Sequence, residues 1–172
     1  CQIVAGKSGK AIVAPNPEFK GIIKLGWTER YLYIGVICRA PAESLQNYPE
    51  RHNLLLQFEP MRLFPGLRYS LYANGDGKSV VIPASWAPRP APWDFCVQRQ
   101  AGKWSGVIRI PMVGLFGAAD APRPIRFSAL FTWHGATERR FAFLVPPCPL
   151  PNSRQGYGNF NPNKELGWLQ FV

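Results

Sequence analysis

Histidine and acid are both scarce in this chain. Its 172 residues include two histidines, His52 and His134, and ten carboxylates spread singly along the sequence. Neither histidine sits in an HxH or HExxH spacing, and no serine lies in a GxSxG elbow. No two acids stand close enough in sequence to read as the pair that acid-base hydrolysis needs. With no recognisable nucleophile, base or paired carboxylates, the chain reads as a binding module rather than an enzyme.

Other absences narrow the field further. No apolar run approaches the ~18 residues of a membrane helix, so no membrane insertion is expected. Cys1, Cys38, Cys96 and Cys148 are far apart with no CxxC spacing, which argues against zinc. Their even number is compatible with disulfides in an oxidising compartment, and free buried thiols are equally compatible. Cys1 is open to two readings, a lipidated first residue or a domain boundary, and the apolar Gln2-Ile3-Val4 that follows at once favours the boundary. Gly6-Lys7-Ser8 ends like a phosphate-binding loop, but Cys1 occupies the position of its first glycine and no helical pattern follows.

Charge of one sign is in excess. Twenty basic against ten acidic residues give a formal charge of +10. Such an excess favours polyanions (nucleic acid, anionic membrane or acidic polysaccharide), or simply marks a basic soluble protein. The basic residues are scattered apart from Arg139-Arg140, and no RRM, KH, zinc-finger or helix-turn-helix pattern is present. No specific nucleic-acid partner is expected.

What the chain does have is aromatics and alternation. It carries 11 Phe, 6 Tyr and 6 Trp, with 18 Pro and 16 Gly spaced as punctuation between strands. Helical periodicity is missing, and a strand-turn-strand pattern opening on tryptophan occurs at Gly26–Val36 and again at Gly102–Pro111. Alternation predicts strands at Gly21–Trp27, Tyr31–Arg39, Leu54–Glu59, Arg68–Asn74, Ser79–Ser85, Phe95–Gln100, Ser105–Ile110, Ile125–Trp133, Arg140–Val145 and Gly167–Val172. The predicted fold is all-β, a two-sheet antiparallel sandwich of about ten strands in one domain spanning 1–172. Hairpins are expected at Thr28-Glu29-Arg30, at Asn74-Gly75-Asp76-Gly77 and at Gln100–Lys103, and a single helical turn at Val113–Phe116. Tyr31–Ile37 is apolar on both faces and should be a central strand covered on both sides. Arg126–Trp133 alternates more cleanly and should have one wet face.

Three longer connections remain, Ala40–Asn53, Trp86–Asp94 and Pro146–Glu165, and loops at a sandwich end are where ligands usually bind. Trp27, Trp104 and Trp168 lie at strand starts or within strands and should be core. Trp86 and Trp93 lie in a Pro-stiffened loop, placed either to stack on the apolar face of a ring or to fold back as a lid. Trp133 ends a strand and is expected at the same end as Tyr157. Arg89, Arg99 and Asn159 would supply directed hydrogen bonds.

In order along the chain, these stretches resemble the family 9-like carbohydrate-binding modules, relatives of the DOMON sandwiches. Trp27–Ile34 is similar to that group's "W-D-x-x-Y-L-Y" strand pair, and Leu54–Pro60 to its "V-E-x-F-(L/I)-D-P" strand. Tyr69–Gly77 resembles "Y-x-F-x-V-N-x-x-G", Trp104–Leu115 "W-x-x-E-(V/I)-x-I-P-(F/W)-x-x-L", and Glu165–Phe171 the closing "W-G-x-(L/V)-x-F". The resemblance implies a non-catalytic module that binds polysaccharide or oligosaccharide, with an acidic glycan favoured by the charge. It further implies attachment to other domains of a larger secreted, glycan-active bacterial protein at the cell surface or in the periplasm. Structural or interaction domains without a ligand occur in the same group, and a haem-holding DOMON domain is a third reading, with the histidines and Met61 or Met112 as ligands. No cofactor is expected. Structural calcium, held by acids in some relatives, is weakened as an alternative because Thr28, Leu55 and Val107 stand where the family has acids.

Overall fold

The computed structural model describes residues 2–5, 10–13, 20–59, 66–82, 92–116, 124–134, 139–143 and 167–171, with the backbone alone described at 2–5, 10–13, 82, 134, 139–143 and 167–171. The strands are β1 (Gln2–Ala5), β2 (Lys10–Val13), β3 (Lys20–Trp27), β4 (Tyr31–Arg39), β5 (Asn53–Glu59), β6 (Gly66–Tyr72), β7 (Gly77–Ile82), β8 (Asp94–Gln100), β9 (Lys103–Pro111), β10 (Ile125–His134), β11 (Arg139–Phe143) and β12 (Gly167–Phe171). Two short helices, α1 (Ala42–Asn47) and α2 (Met112–Phe116), and a 3-10 turn at Pro49–Arg51 complete the described elements. One sheet holds β2-β3-β4-β9-β8 in that order. The other runs β1-β12-β10-β5-β6-β7, with β11 also paired to β10. Every pairing is antiparallel except that of β1 with β12.

All ten expected strands are present, as is the helical turn after Pro111. The sequence reading missed β1, β2 and α1. The first two are four-residue segments, too short for alternation to register. α1 is equally invisible, at six residues.

The turns form as their residues dictate. At Asn74-Gly75-Asp76 the glycine takes φ 97°, and the Asn74 Oδ1 accepts from the Asp76 amide at 3.0 Å. Gly102, at φ 69°, turns β8 into β9. At Thr28 the amide donates to the Tyr31 carbonyl, and the Thr28 hydroxyl accepts from the Tyr31 amide at 3.1 Å.

The core lies between the sheets. Leu32, Ile34, Val36 and Cys38 of β4, with Trp104, Ile108 and Ile110 of β9, face Leu54, Leu56 and Phe58 of β5 and Phe127, Phe131 and Trp133 of β10. Burial pushes the Cys38 thiol up to about 12, so it is a small apolar filler, not a nucleophile. The two sheets approach through glycine. A β-carbon on Gly21 would stand 2.4 Å from the Phe131 ring, and one on Gly77 2.3 Å from Phe95. Gly21→Ala is therefore expected to destabilise the fold by about 1–3 kcal/mol. Gly26→Ala, with nothing within 4 Å of the added carbon, should stay within about 0.5 kcal/mol. Urea denaturation midpoints of the two variants test the contrast.

Two expectations about strand faces are corrected. β4 is central, but only its inner face is covered: Ile37 on the outer face is 37% exposed. β10 was expected to have a wet face, yet its outward Ser128 and Thr132 are both buried.

Candidate functional site

The buried polar groups of β10 lead to an unusual row of side chains. β5 turns Leu54, Leu56 and Phe58 into the core, so alternation sends Gln57 and Glu59 to the opposite face of the sheet. Register sets Arg126 of β10 directly beside Glu59, and Ser128 beside Gln57. On the other flank of β5, Gln57 is partnered by Arg68 of β6. Directly opposed residues lie about 4.5–5.5 Å apart. Five polar side chains are thus gathered on one sheet face, and Gln57, Glu59 and Ser128 are nearly inaccessible there.

Their hydrogen bonding is incomplete. Arg126 Nη1 donates to Glu59 Oε2 at 3.0 Å, and Arg68 Nη2 donates to Gln57 Oε1 at 3.3 Å. Among the described residues, Glu59 Oε1, Arg68 Nε and Ser128 Oγ have no partner in good hydrogen-bond geometry, although the Gln57 amide lies close enough to Glu59 to draw its carboxyl down. An unpartnered buried polar group costs about 1–3 kcal/mol, so three on one face are a reservoir that a hydrogen-bonding ligand would relieve. Burial pushes the Glu59 carboxyl above the usual carboxylate range, against the opposing pull of the Arg126 guanidinium. Burial also lowers Arg68 from its ordinary value. The set offers an acceptor-only carboxylate, two guanidinium forks, an amide and a hydroxyl. Planar donors and acceptors in one layer suit a ligand that presents several hydroxyls.

Strand ends converge at the Glu59 end of this face. β5 ends there at Glu59, β7 ends at Ile82 beside Gly66 of β6, and β10 starts there at Ile125. Trp168 of β12 is the backbone partner of Arg126.

The residues singled out from sequence fall elsewhere. Trp133 is 0% exposed, stacked on Phe131 with ring centroids 5.5 Å apart, and its Nε1 donates to the Arg39 carbonyl at 3.0 Å. The ring is core and offers no face to a ligand, because its inward position on β10 points it between the sheets. Trp93 is half-buried, edge-on to Tyr69 at 5.2 Å and tilted against Phe95 at 4.5 Å. Arg99 is exposed on the edge strand β8, six positions beyond Trp93, which along a strand is about 20 Å. The structure does not bring these three together. Trp86, Arg89, Tyr157 and Asn159 lie outside the described residues. Of the expected core tryptophans, Trp104 is fully buried and Trp27 is partly buried against the core, while the side chain of Trp168 is not described. Glu59, Gln57, Arg68, Arg126 and Ser128 were missed as site residues. Their signal was present as polar residues alternating with core positions on adjacent strands, which reads as an ordinary solvent face.

Other groups take structural roles. His52 is fully buried with its Nε2 3.0 Å from the Ser44 hydroxyl, and Met112 is buried at the start of α2. Among the described residues no three His, Cys, Asp or Glu side chains gather as metal ligands, and no helix is long and apolar enough to cross a membrane.

No protein-family model and no curated protein matches the sequence. Solved structures do match. A family 9 carbohydrate-binding module from Caldicellulosiruptor kristjanssonii, in complex with cellotriose, superposes with a TM-score of 0.67 at 12% identity, covering 95% of this chain and 82% of its own. The chain has the fold of a family 9 carbohydrate-binding module. A glucose complex of a family 9 module from the same organism gives 0.67 and 12%, with 100% of this chain and 96% of that one covered. A candidate carbohydrate-binding protein from Bacteroides uniformis gives 0.66 and 12%, with 96% and 86% covered. The family 9-like sandwich expected from the five sequence stretches is borne out as a fold, with two sheets and all ten expected strands in place.

Proposed function

We infer that this family 9-like domain binds carbohydrate without catalysis at the polar row of β5, β6 and β10, through the partly accessible Arg126 and Arg68, with Glu59, Gln57 and Ser128 behind them as the groups a ligand hydroxyl has to reach. The observation that carries the reading is the trio of buried, unpartnered atoms on that one face, Glu59 Oε1, Arg68 Nε and Ser128 Oγ. Sugar hydroxyls donate and accept at once, and they match a carboxylate, a guanidinium and a hydroxyl in the same layer. The modules of like fold solved with cellotriose and glucose support a neutral gluco-configured ligand as the first to try. β7 ends at Ile82, paired with Gly66 at the Glu59 end of the sheet, and Trp86 follows Ile82 by four residues in sequence. Trp86 and Arg89 are proposed as the ring platform and the additional donor, with Tyr157 and Asn159 as further contacts. Attachment to a secreted glycan-active enzyme, where the module would raise local substrate concentration, belongs to the same proposal.

The test is calorimetric titration of the domain with glucose and cello-oligosaccharides. Ser128→Ala removes an unsatisfied hydroxyl, so it should leave the melting temperature unchanged or raise it. The same variant should weaken binding about tenfold, the equivalent of ~1.4 kcal/mol. Trp86→Ala should weaken binding at least as much. A wild-type domain that gives no heat with any glycan, or a Ser128→Ala variant of unchanged affinity, would remove the site from this face.

A further inference from the structure

The outer face of the five-stranded sheet carries a second, differently charged surface. Register aligns Lys20 of β3, Arg39 of β4 and Lys103 of β9 as direct cross-strand neighbours. All three alternate away from the core residues of their strands. Like charges set directly opposite one another destabilise a sheet. None of the three, nor Lys24 two rows along, has an ion-pair partner among the described residues. The four strands β3, β4, β9 and β8 contain a single carboxylate, Asp94, and it is bound to Arg109, whose guanidinium also sits 4.7 Å over the Tyr31 ring. A run of cations held together without counter-charge is a surface built for an anion.

Next to that row lies a trough of about 310 Å³. Its sides include Ile22, Ile37 and Val107, with Gln98 and Ser105 as neutral hydrogen-bonding groups. Its floor includes Gly35, in the middle of the central strand. Glycine there weakens a strand, and the fold does not require it: an added β-carbon would meet only Lys24, at 3.8 Å. The core-facing Gly21 and Gly106 differ, since a β-carbon on either would collide with Phe131 or Leu71. A glycine without a packing reason, on an open face, keeps a floor low for something that lies on it.

We propose that this face is a second binding surface, independent of the polar row on the other sheet, and that its ligand is an acidic polysaccharide of the polyuronate class. The trough takes the aliphatic face of the sugar rings, Gln98 and Ser105 meet hydroxyls, and Lys20, Arg39 and Lys103 meet carboxylates. Carboxylates in such a chain recur once per ring, a pitch comparable to the ~4.8 Å between neighbouring strands. Among the described residues the trough lining contains no aromatic ring, and so none of the stacking platform that single-stranded nucleic acid uses.

Affinity electrophoresis and calorimetry at 150 mM salt decide it, with polygalacturonate as the probe. Methyl-esterified polygalacturonate, a thymidine oligonucleotide and phosphatidylglycerol vesicles serve as comparators. Binding to polygalacturonate is expected, with at least tenfold weaker binding to each comparator. Arg39→Gln/Lys103→Gln should weaken it at least tenfold. Gly35→Leu, which changes no charge and fills the trough, should do the same while the melting temperature holds. Cello-oligosaccharide titration of both variants should match wild type. Absence of polygalacturonate binding, equal affinity for oligonucleotide or vesicles, or a Gly35→Leu variant that binds like wild type would each overturn the proposal.

Discussion

Replacing Trp133 with alanine is expected to lower the unfolding free energy by about 3–5 kcal/mol, the range for losing a large buried ring. The indole fills space between the sheets, stacks on Phe131, and ties β10 to the end of β4 through its bond to the Arg39 carbonyl. Loss of the ring leaves a cavity, and loss of the N–H leaves that carbonyl short of a donor. Trp133→Phe keeps most of the volume and loses the hydrogen bond, so it should cost only about 1–2 kcal/mol. Guanidinium denaturation of both variants gives the numbers, and glycan titration of Trp133→Phe supplies the control. Unchanged affinity in Trp133→Phe is the expected result. A stable variant that no longer bound sugar would return Trp133 to the ligand site and contradict its burial.

Arg126→Ala should be nearly as damaging, by about 3–5 kcal/mol at neutral pH, because it strands the Glu59 carboxylate without its partner. The Glu59 side chain is 1% exposed, so water cannot take the place of the guanidinium. The pH dependence follows from the direction of the Glu59 shift. Its folded-state pKa is raised above the usual carboxylate range, so between the two values the folded chain holds a proton that the unfolded chain has lost. This group's contribution is therefore fully present below the unfolded value and is lost as pH rises through the folded one. In the wild type Arg126 opposes that loss. In Arg126→Ala the opposition is gone and the slope steepens. Melting temperatures between pH 4.5 and 8 should show the variant approaching wild type on acidification and falling away from it toward neutrality. Glu59→Gln/Arg126→Ala should recover most of the stability and flatten the profile. A deficit in Arg126→Ala independent of pH would show that the pair matters by packing and not by charge.

Both variants bear on how much of this molecule is legible in its sequence. Ten strands, three hairpins and the sandwich class follow from local rules. A period of two selects strands, Asn74-Gly75 and Ala101-Gly102 select turns, and a tryptophan flanked by alternating apolar residues, as at Trp104, selects core. Local rules say which residues share a face. They do not say what covers that face, and here the expected cover was reversed. Tyr31–Ile37, apolar on both sides, has an open outer surface where Ile37 sits beside a row of cations. Arg126–Trp133, polar on one side, has that side buried.

The candidate sites were decided at the same level. Glu59 and Arg126 are 67 residues apart, and nothing local in either segment announces the other. Gln57, Arg68 and Ser128 likewise meet only because β5, β6 and β10 pair in one register, which long-range hydrogen bonding and the burial of Leu54, Leu56 and Phe58 impose together. The same holds for Lys20, Arg39 and Lys103, three single basic residues in sequence and one row across three strands. Local residue order dictates the strands, their turns and which side chains alternate inward. Which polar and charged residues stand together is set by strand pairing alone, because a sheet brings distant residues side by side in a register that no single strand encodes.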